Sequence, residues 1–164
     1  MWSVRLKVCP VIYLPKRRST LPKSFAPRSV IADSSAVVAL LSRDDEHHAW
    51  IDSHLDSLPW PWLTCDAVLS ETFYLVGDRG AAQLIVMLRR GVLKVGFSAS
   101  GELRPVVALI EKYRDVPMSF ADACIVRMTE ILADSIVLTT DSDFRIYRRH
   151  SRHVIPCLMP LRRL

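Results

Sequence analysis

The chain has 164 residues, half of them hydrophobic and 24% charged. This suits one globular domain and argues against a membrane span, because no apolar run approaches the roughly 18 residues that a span needs. The net charge of +5 conceals its layout: residues 1–29 carry seven Lys or Arg and residues 145–164 six, both without an acid, whereas all 17 acids fall between them.

Residues 1–29 are basic and proline-rich and show no helical or strand period, while Lys7, Pro10 and Pro15 interrupt any signal-peptide core. They read as a disordered extension. The folded pattern begins abruptly at Val30, as it would if native translation started further along; mass spectrometry of the native N-terminus checks this. Residues 30–160 read as the domain and 161–164 as a short basic tail.

Val30 to Ala32 predicts a short buried strand, after which Ser34 or Ser35 caps a helix built on Val37, Val38, Leu40 and Leu41. From Asp44, a face of Trp50, Ile51, His54, Leu55 and Leu58 predicts a second helix ended by Pro59. Trp60 to Leu63 suits a strand, with Thr64 capping a helix that runs through Val68 and Leu75 to Gly77. Asp78 starts another helix, closed by Arg89, Arg90 and Gly91. Val92 to Phe97 is a strand, Ser100 opens a helix through Tyr113, and Ser119 opens one reaching about Leu132. Ile136 to Thr139 is a buried strand, and His153 to Ile155 a last one. Alternating strands and helices imply a mainly parallel sheet covered on both faces, with ligands at the carboxyl ends of its strands.

Four acids sit against apolar segments. Asp33 ends Val30-Ile31-Ala32, Asp141 follows Ile136-Val137-Leu138 and two threonines, and Glu71 and Asp122 fall on apolar helix faces. Read singly, Asp33 suits a helix cap, Asp141 a turn, and Asp122 a capping box with Ser119, while Glu71 suits a buried ion pair with Arg127. Read together, they predict a shared site. Two unit charges 4 Å apart repel by about 4 kcal/mol at an effective dielectric of 20, so converging carboxylates call for a cation. Oxygen donors favour Mg²⁺ or Mn²⁺, and that chemistry suits phosphodiester hydrolysis. The histidines form no H-E-x-x-H, and no G-x-x-x-x-G-K, G-x-G-x-x-G or G-x-S-x-G sequence occurs, which disfavours zinc-protease, nucleotide-triphosphatase, dinucleotide-binding and serine-hydrolase readings. Cys9, Cys65, Cys124 and Cys157 lack zinc spacing and suit reduced thiols in a cytoplasmic protein.

On these residues the chain resembles PIN-domain nucleases, especially the ribonuclease toxins of VapBC toxin-antitoxin modules. Ile31-Ala32-Asp33-Ser34-Ser35, Leu69-Ser70-Glu71, Ser119-Phe120-Ala121-Asp122-Ala123 and Thr139-Thr140-Asp141-Ser142-Asp143-Phe144 are similar to the family's four acidic motifs, in order. The resemblance spans about Val30 to Pro160; the N-terminal extension departs from it. It implies a three-layer α/β/α sandwich and Mg²⁺- or Mn²⁺-dependent endoribonuclease activity. Asp33 and Asp122 would be central ligands, completed by Glu71 and Asp141, with Asp143 as a substitute fourth acid and Ser34 and Thr139 in support. It also implies a homodimer and a cognate antitoxin. Arg145, Arg148, Arg149 and Arg152 follow the fourth motif and are candidate RNA-backbone contacts, or else an exposed helical face. A PIN-like DNA or RNA-maturation nuclease, and a catalytically silent nucleic-acid-binding module, share the same residues.

Overall fold

Val30 and Ile31, β-branched and wholly buried, form the middle of the sheet at β1 (Ser29–Ala32). A computed structural model describes residues 29–161. β1 pairs in parallel with β2 (Trp62–Cys65) and with β4 (Ser135–Leu138). β3 (Leu93–Phe97) extends the sheet beyond β2 and β7 (Cys157–Leu158) beyond β4, giving the order β3-β2-β1-β4-β7, parallel throughout.

Successive strand residues point to opposite faces, so each strand feeds two cores. Ile31 and its register partner Val137 enter one core, with Val106 and Leu109 of α4 (Leu103–Lys112) and Ile125 and Met128 of α5 (Phe120–Ile131). Ala32 and its partner Leu138 enter the other, with Val37 of α1 (Ser34–Leu41), Ile51 of α2 (His48–His54) and Leu84 of α3 (Asp66–Arg89). Helices therefore cover both faces, and the predicted three-layer α/β/α sandwich is what forms. No helix among the described residues is long and apolar enough to cross a membrane.

The expected break at Gly77 exists as a bend inside one helical run. Gly77 has φ 59° and ψ −172°, a conformation that side-chain-bearing residues avoid. Before it Val68 joins the core of α5, and after it Leu84 and Met87 join the core of α1. A β-carbon at Gly77 would meet nothing within 4 Å, so the cost of one is conformational. Gly77→Ala is expected to destabilise the fold by about 1–3 kcal/mol in urea titration, and an unchanged midpoint would contradict the bend.

Several boundaries differ from the expectation. β2 runs on to Cys65, and the Thr64 hydroxyl donates to the Ala32 carbonyl at 3.2 Å instead of capping α3. α1 is capped by Asp33, upstream of the two serines. The 153–155 segment does not join the main sheet: β6 (His153–Val154) pairs with β5 (Arg148–Arg149) in a separate antiparallel ribbon, and β7 takes the edge. Cys65, Cys124 and Cys157 are free thiols, as read from the sequence. The N-terminal extension, apart from Ser29, and residues 162–164 lie outside the described residues.

Candidate active site

From β1 the chain proceeds to β2 and β3 on one side of the sheet and later returns to β4 and β7 on the other. The crevice that such a reversal opens at the carboxyl ends of the two central strands is the usual ligand position in this architecture. Asp33 follows β1 and Asp141 follows β4. Asp33, Glu71, Asp122 and Asp141, together with Asp45, line one cleft of about 380 Å³. Asp33 is 3% exposed and Asp122 9%, while Glu71 and Asp141 are half-buried.

Each acid also has a local reason for its place. Asp33 caps α1, accepting from the Ser34 N–H at 2.7 Å. Asp122 forms the capping box of α5, accepting from the Ser119 N–H at 2.9 Å while its own N–H donates to the Ser119 hydroxyl at 3.0 Å. Asp141 starts a 3₁₀ turn by accepting from the Asp143 N–H at 2.9 Å. The cap positions and a place on the shared cleft thus coexist in Asp33, Asp122 and Asp141. Glu71, carried by the first half of α3, accepts from the Ser34 hydroxyl at 3.0 Å.

Hydroxyls hold Asp33. Ser35 Oγ and Thr139 Oγ1 both donate to its Oδ2, at 2.6 and 2.7 Å. The two hydroxyls in turn accept from the Thr140 and Asp141 N–H groups at 3.0 and 2.9 Å, which ties the end of β1 to the loop after β4. Ser35 carries as much of this network as Thr139, although the sequence shows it only as a cap. Tyr147, wholly buried, donates from its hydroxyl toward Asp122 Oδ2 at 3.4 Å and the Pro117 carbonyl at 3.3 Å. Tyr147 and Asp45 escape sequence reading because one lies past the fourth motif and the other in the loop before α2. The side chain of Asp143 is not part of the cleft lining.

Burial raises the Asp33 carboxyl above the usual range against three hydrogen bonds that lower it, and the nearby Asp141 charge adds to the rise. Burial likewise pushes Asp122 up to about 6, with the charges of Asp33 and Asp141 adding to it against the Ser119 bonds. Burial and the Asp122 charge also hold the Tyr147 phenol in its protonated form. No lysine, arginine or histidine is among the described residues lining this cleft. Arg127, the expected alternative partner of Glu71, instead pairs with Glu102 and Glu130, each at 2.8 Å, because α5 turns it away from the cleft toward α4.

Clustered oxygen donors, mutually unfavourable charges and the lack of a neutralising base among the described lining residues fit a hard divalent cation. Among the described residues, no three acid, histidine or cysteine side chains are grouped closely enough to hold a metal ion as they stand.

The four arginines are dispersed. Arg145 lines a groove next to the cleft. Arg148 donates to the carbonyls of Arg145, Ile146 and Tyr147 at 2.7–2.8 Å, and Arg149 donates to Ala133 O at 3.0 Å. Arg152 is exposed in the turn of the β5–β6 ribbon, so the four do not form a helical face.

Fold and site together define an α/β protein with a carboxylate-lined crevice at the switch point of a parallel sheet. Residues 30–149 match the PIN domain, and the chain belongs to the PIN-domain family. It is 27% identical over 125 residues to Ribonuclease VapC26 of Mycobacterium tuberculosis (strain ATCC 25618 / H37Rv), covering 74% of this chain and 88% of that protein. In fold it is similar to the crystal structure of Mycobacterium tuberculosis VapC20, a sarcin-ricin loop cleaving toxin, with a TM-score of 0.63 and 22% identity over 70% of this chain and 92% of that one.

Proposed function

We propose that this chain is an endoribonuclease that hydrolyses RNA phosphodiester bonds with Mg²⁺ or Mn²⁺, acting in the cytoplasm as the toxin of a toxin-antitoxin pair. The observation that carries this reading is the convergence of Asp33, Glu71, Asp122 and Asp141 on one cleft, with no base among the described residues that line it. The activities of the two relatives, a ribonuclease and a sarcin-ricin loop cleaving toxin, support RNA as the substrate. A cognate antitoxin and a homodimer belong to the same proposal.

Asp33 and Asp122 would hold the cation, with Glu71 and Asp141 completing the set. When bound, it supplies electrophilic polarisation of a phosphodiester and a more acidic water. The protein's part is positioning. Ser35 and Thr139 fix Asp33 Oδ2, Ser34 fixes Glu71 Oε2, and the Ser119 N–H fixes Asp122 Oδ2. The N-termini of α1 and α5 add a dipole that favours negative charge at Asp33 and Asp122, partly offsetting their repulsion.

The test incubates wild type and Asp33→Asn with structured RNA and sequence-matched DNA, in Mg²⁺, Mn²⁺ or chelator. Wild type is expected to cut RNA only with metal, and Asp33→Asn to cut about 100-fold more slowly or worse. Undiminished cutting by the variant rejects the acidic site. DNA cut as fast as RNA moves the substrate assignment to DNA.

A further inference from the structure

Alongside the acidic cleft runs a second concavity of about 520 Å³, lined by Glu46, His47 and Trp50 from the start of α2, Thr140, Ser142 and Arg145 after β4, and the segment after β7. The two adjoin at Thr140. Thr140 lines both, and Asp141 on the cleft is followed at once by Ser142 on the groove, about 3.8 Å away between Cα atoms. We propose that this groove is a subsite for one unpaired nucleotide of the RNA strand, next to the phosphodiester held at the acids, with its base against Trp50 and its phosphate on Arg145. The inference rests on the nuclease reading above.

Charge sets the route. Five carboxylates line the cleft, so a polyanion is repelled there and must be anchored beside it. Among the described residues lining cleft and groove, Arg145 is the permanent cation. Its Nη2 donates to the Pro160 carbonyl at 3.4 Å, which keeps the guanidinium on the groove and uses one of its five N–H donors. The single groove carboxylate, Glu46, lies 3.6 Å from His47 Nε2 and is largely in water, where its repulsion is screened.

The apolar part of the groove selects for a base. Trp50 is half-buried and packs against the His54 ring 4.8 Å away, so it brings a held aromatic side chain to the groove, and Met159 and Pro160 add apolar lining. Aromatic surfaces of this kind take unstacked bases irrespective of sequence. A base inside a duplex is stacked on both faces and cannot enter a concavity, so the subsite demands an unpaired stretch.

The test uses the full chain in chelator, where no cleavage occurs, with a single-stranded RNA carrying 4-thiouridine. Ultraviolet crosslinks are expected on peptides containing Trp50 or Met159. Arg145→Gln, a change at an exposed side chain that leaves the core intact, is expected to raise Kd about 10-fold and reduce the salt slope by about one. With metal present, the same variant is expected to raise KM far more than it lowers kcat. Crosslinks that miss the groove, no binding by wild type, or a Kd for Arg145→Gln within about twofold of wild type would each overturn the subsite and leave the groove to a protein partner. Groove crosslinks together with no cleavage in Mg²⁺ or Mn²⁺ would keep the subsite and reject the nuclease reading instead.

Discussion

Asp122→Asn is expected to make the metal-free protein more stable at pH 8, by on the order of 2–3 kcal/mol, while removing a carboxylate proposed to hold the cation. The folded-state pKa of Asp122 is about 6 against an ordinary 3.8, because the fold buries it and sets Asp33 and Asp141 nearby. A raised carboxyl pKa means that the folded state binds the proton more tightly than the unfolded chain. This contribution to stability is therefore fully present below about pH 3.8 and is lost as pH rises through about 6. Asparagine carries no charge and keeps an oxygen to accept the Ser119 N–H, so the start of α5 survives. Urea titrations in chelator at pH 4 and pH 8 check the sign. The gain is expected at pH 8 and close to zero at pH 4, and a loss at pH 8 would refute the burial argument.

Millimolar Mg²⁺ or Mn²⁺ is expected to recover in the wild type what the carboxylates cost. A ligand at a hundredfold excess over its Kd that binds only the folded state stabilises by about 2.7 kcal/mol, which for a chain of this size raises Tm by roughly 5–10 °C. Sodium chloride at equal ionic strength is the control, because general screening acts on any surface charge. Asp33→Asn and Asp122→Asn are each expected to lose most of the increment. An equal rise in wild type and both variants would place the cation elsewhere.

Strand and helix order was legible because the segments are strongly patterned: Val30-Ile31-Ala32 and Ile136-Val137-Leu138 are continuous apolar runs, and they became the paired centre of the sheet. Asp33 and Asp141 stood out for the same reason, since each follows such a run, whereas Glu71 and Asp122 stood out by their places on apolar helix faces. The end of the chain resisted, because β7 is the two residues Cys157 and Leu158, and recruitment to the sheet edge follows from tertiary pairing with β4 and leaves no local period. Asp45 and Tyr147 reach the site through loop placement and through a buried hydroxyl. Neither leaves a periodic trace. The arginines after the fourth motif looked alike in sequence, yet among them Arg145 lines the groove beside the cleft, while Arg148 and Arg149 are turned to carbonyls of residues 145–147 and 133.

That Asp33 and Asp141 each cap a helical turn, and Asp122 completes the capping box of another, has a bearing on how such a protein can fall silent. Drift to alanine at these positions removes a carboxylate and also unravels the start of a helix, at about 1 kcal/mol each. Drift to asparagine or serine spares the architecture. Degenerate copies that have shed their chemistry but still fold are therefore expected to carry Asn or Ser in place of these aspartates, whereas Glu71, which starts nothing, is free to vary more widely.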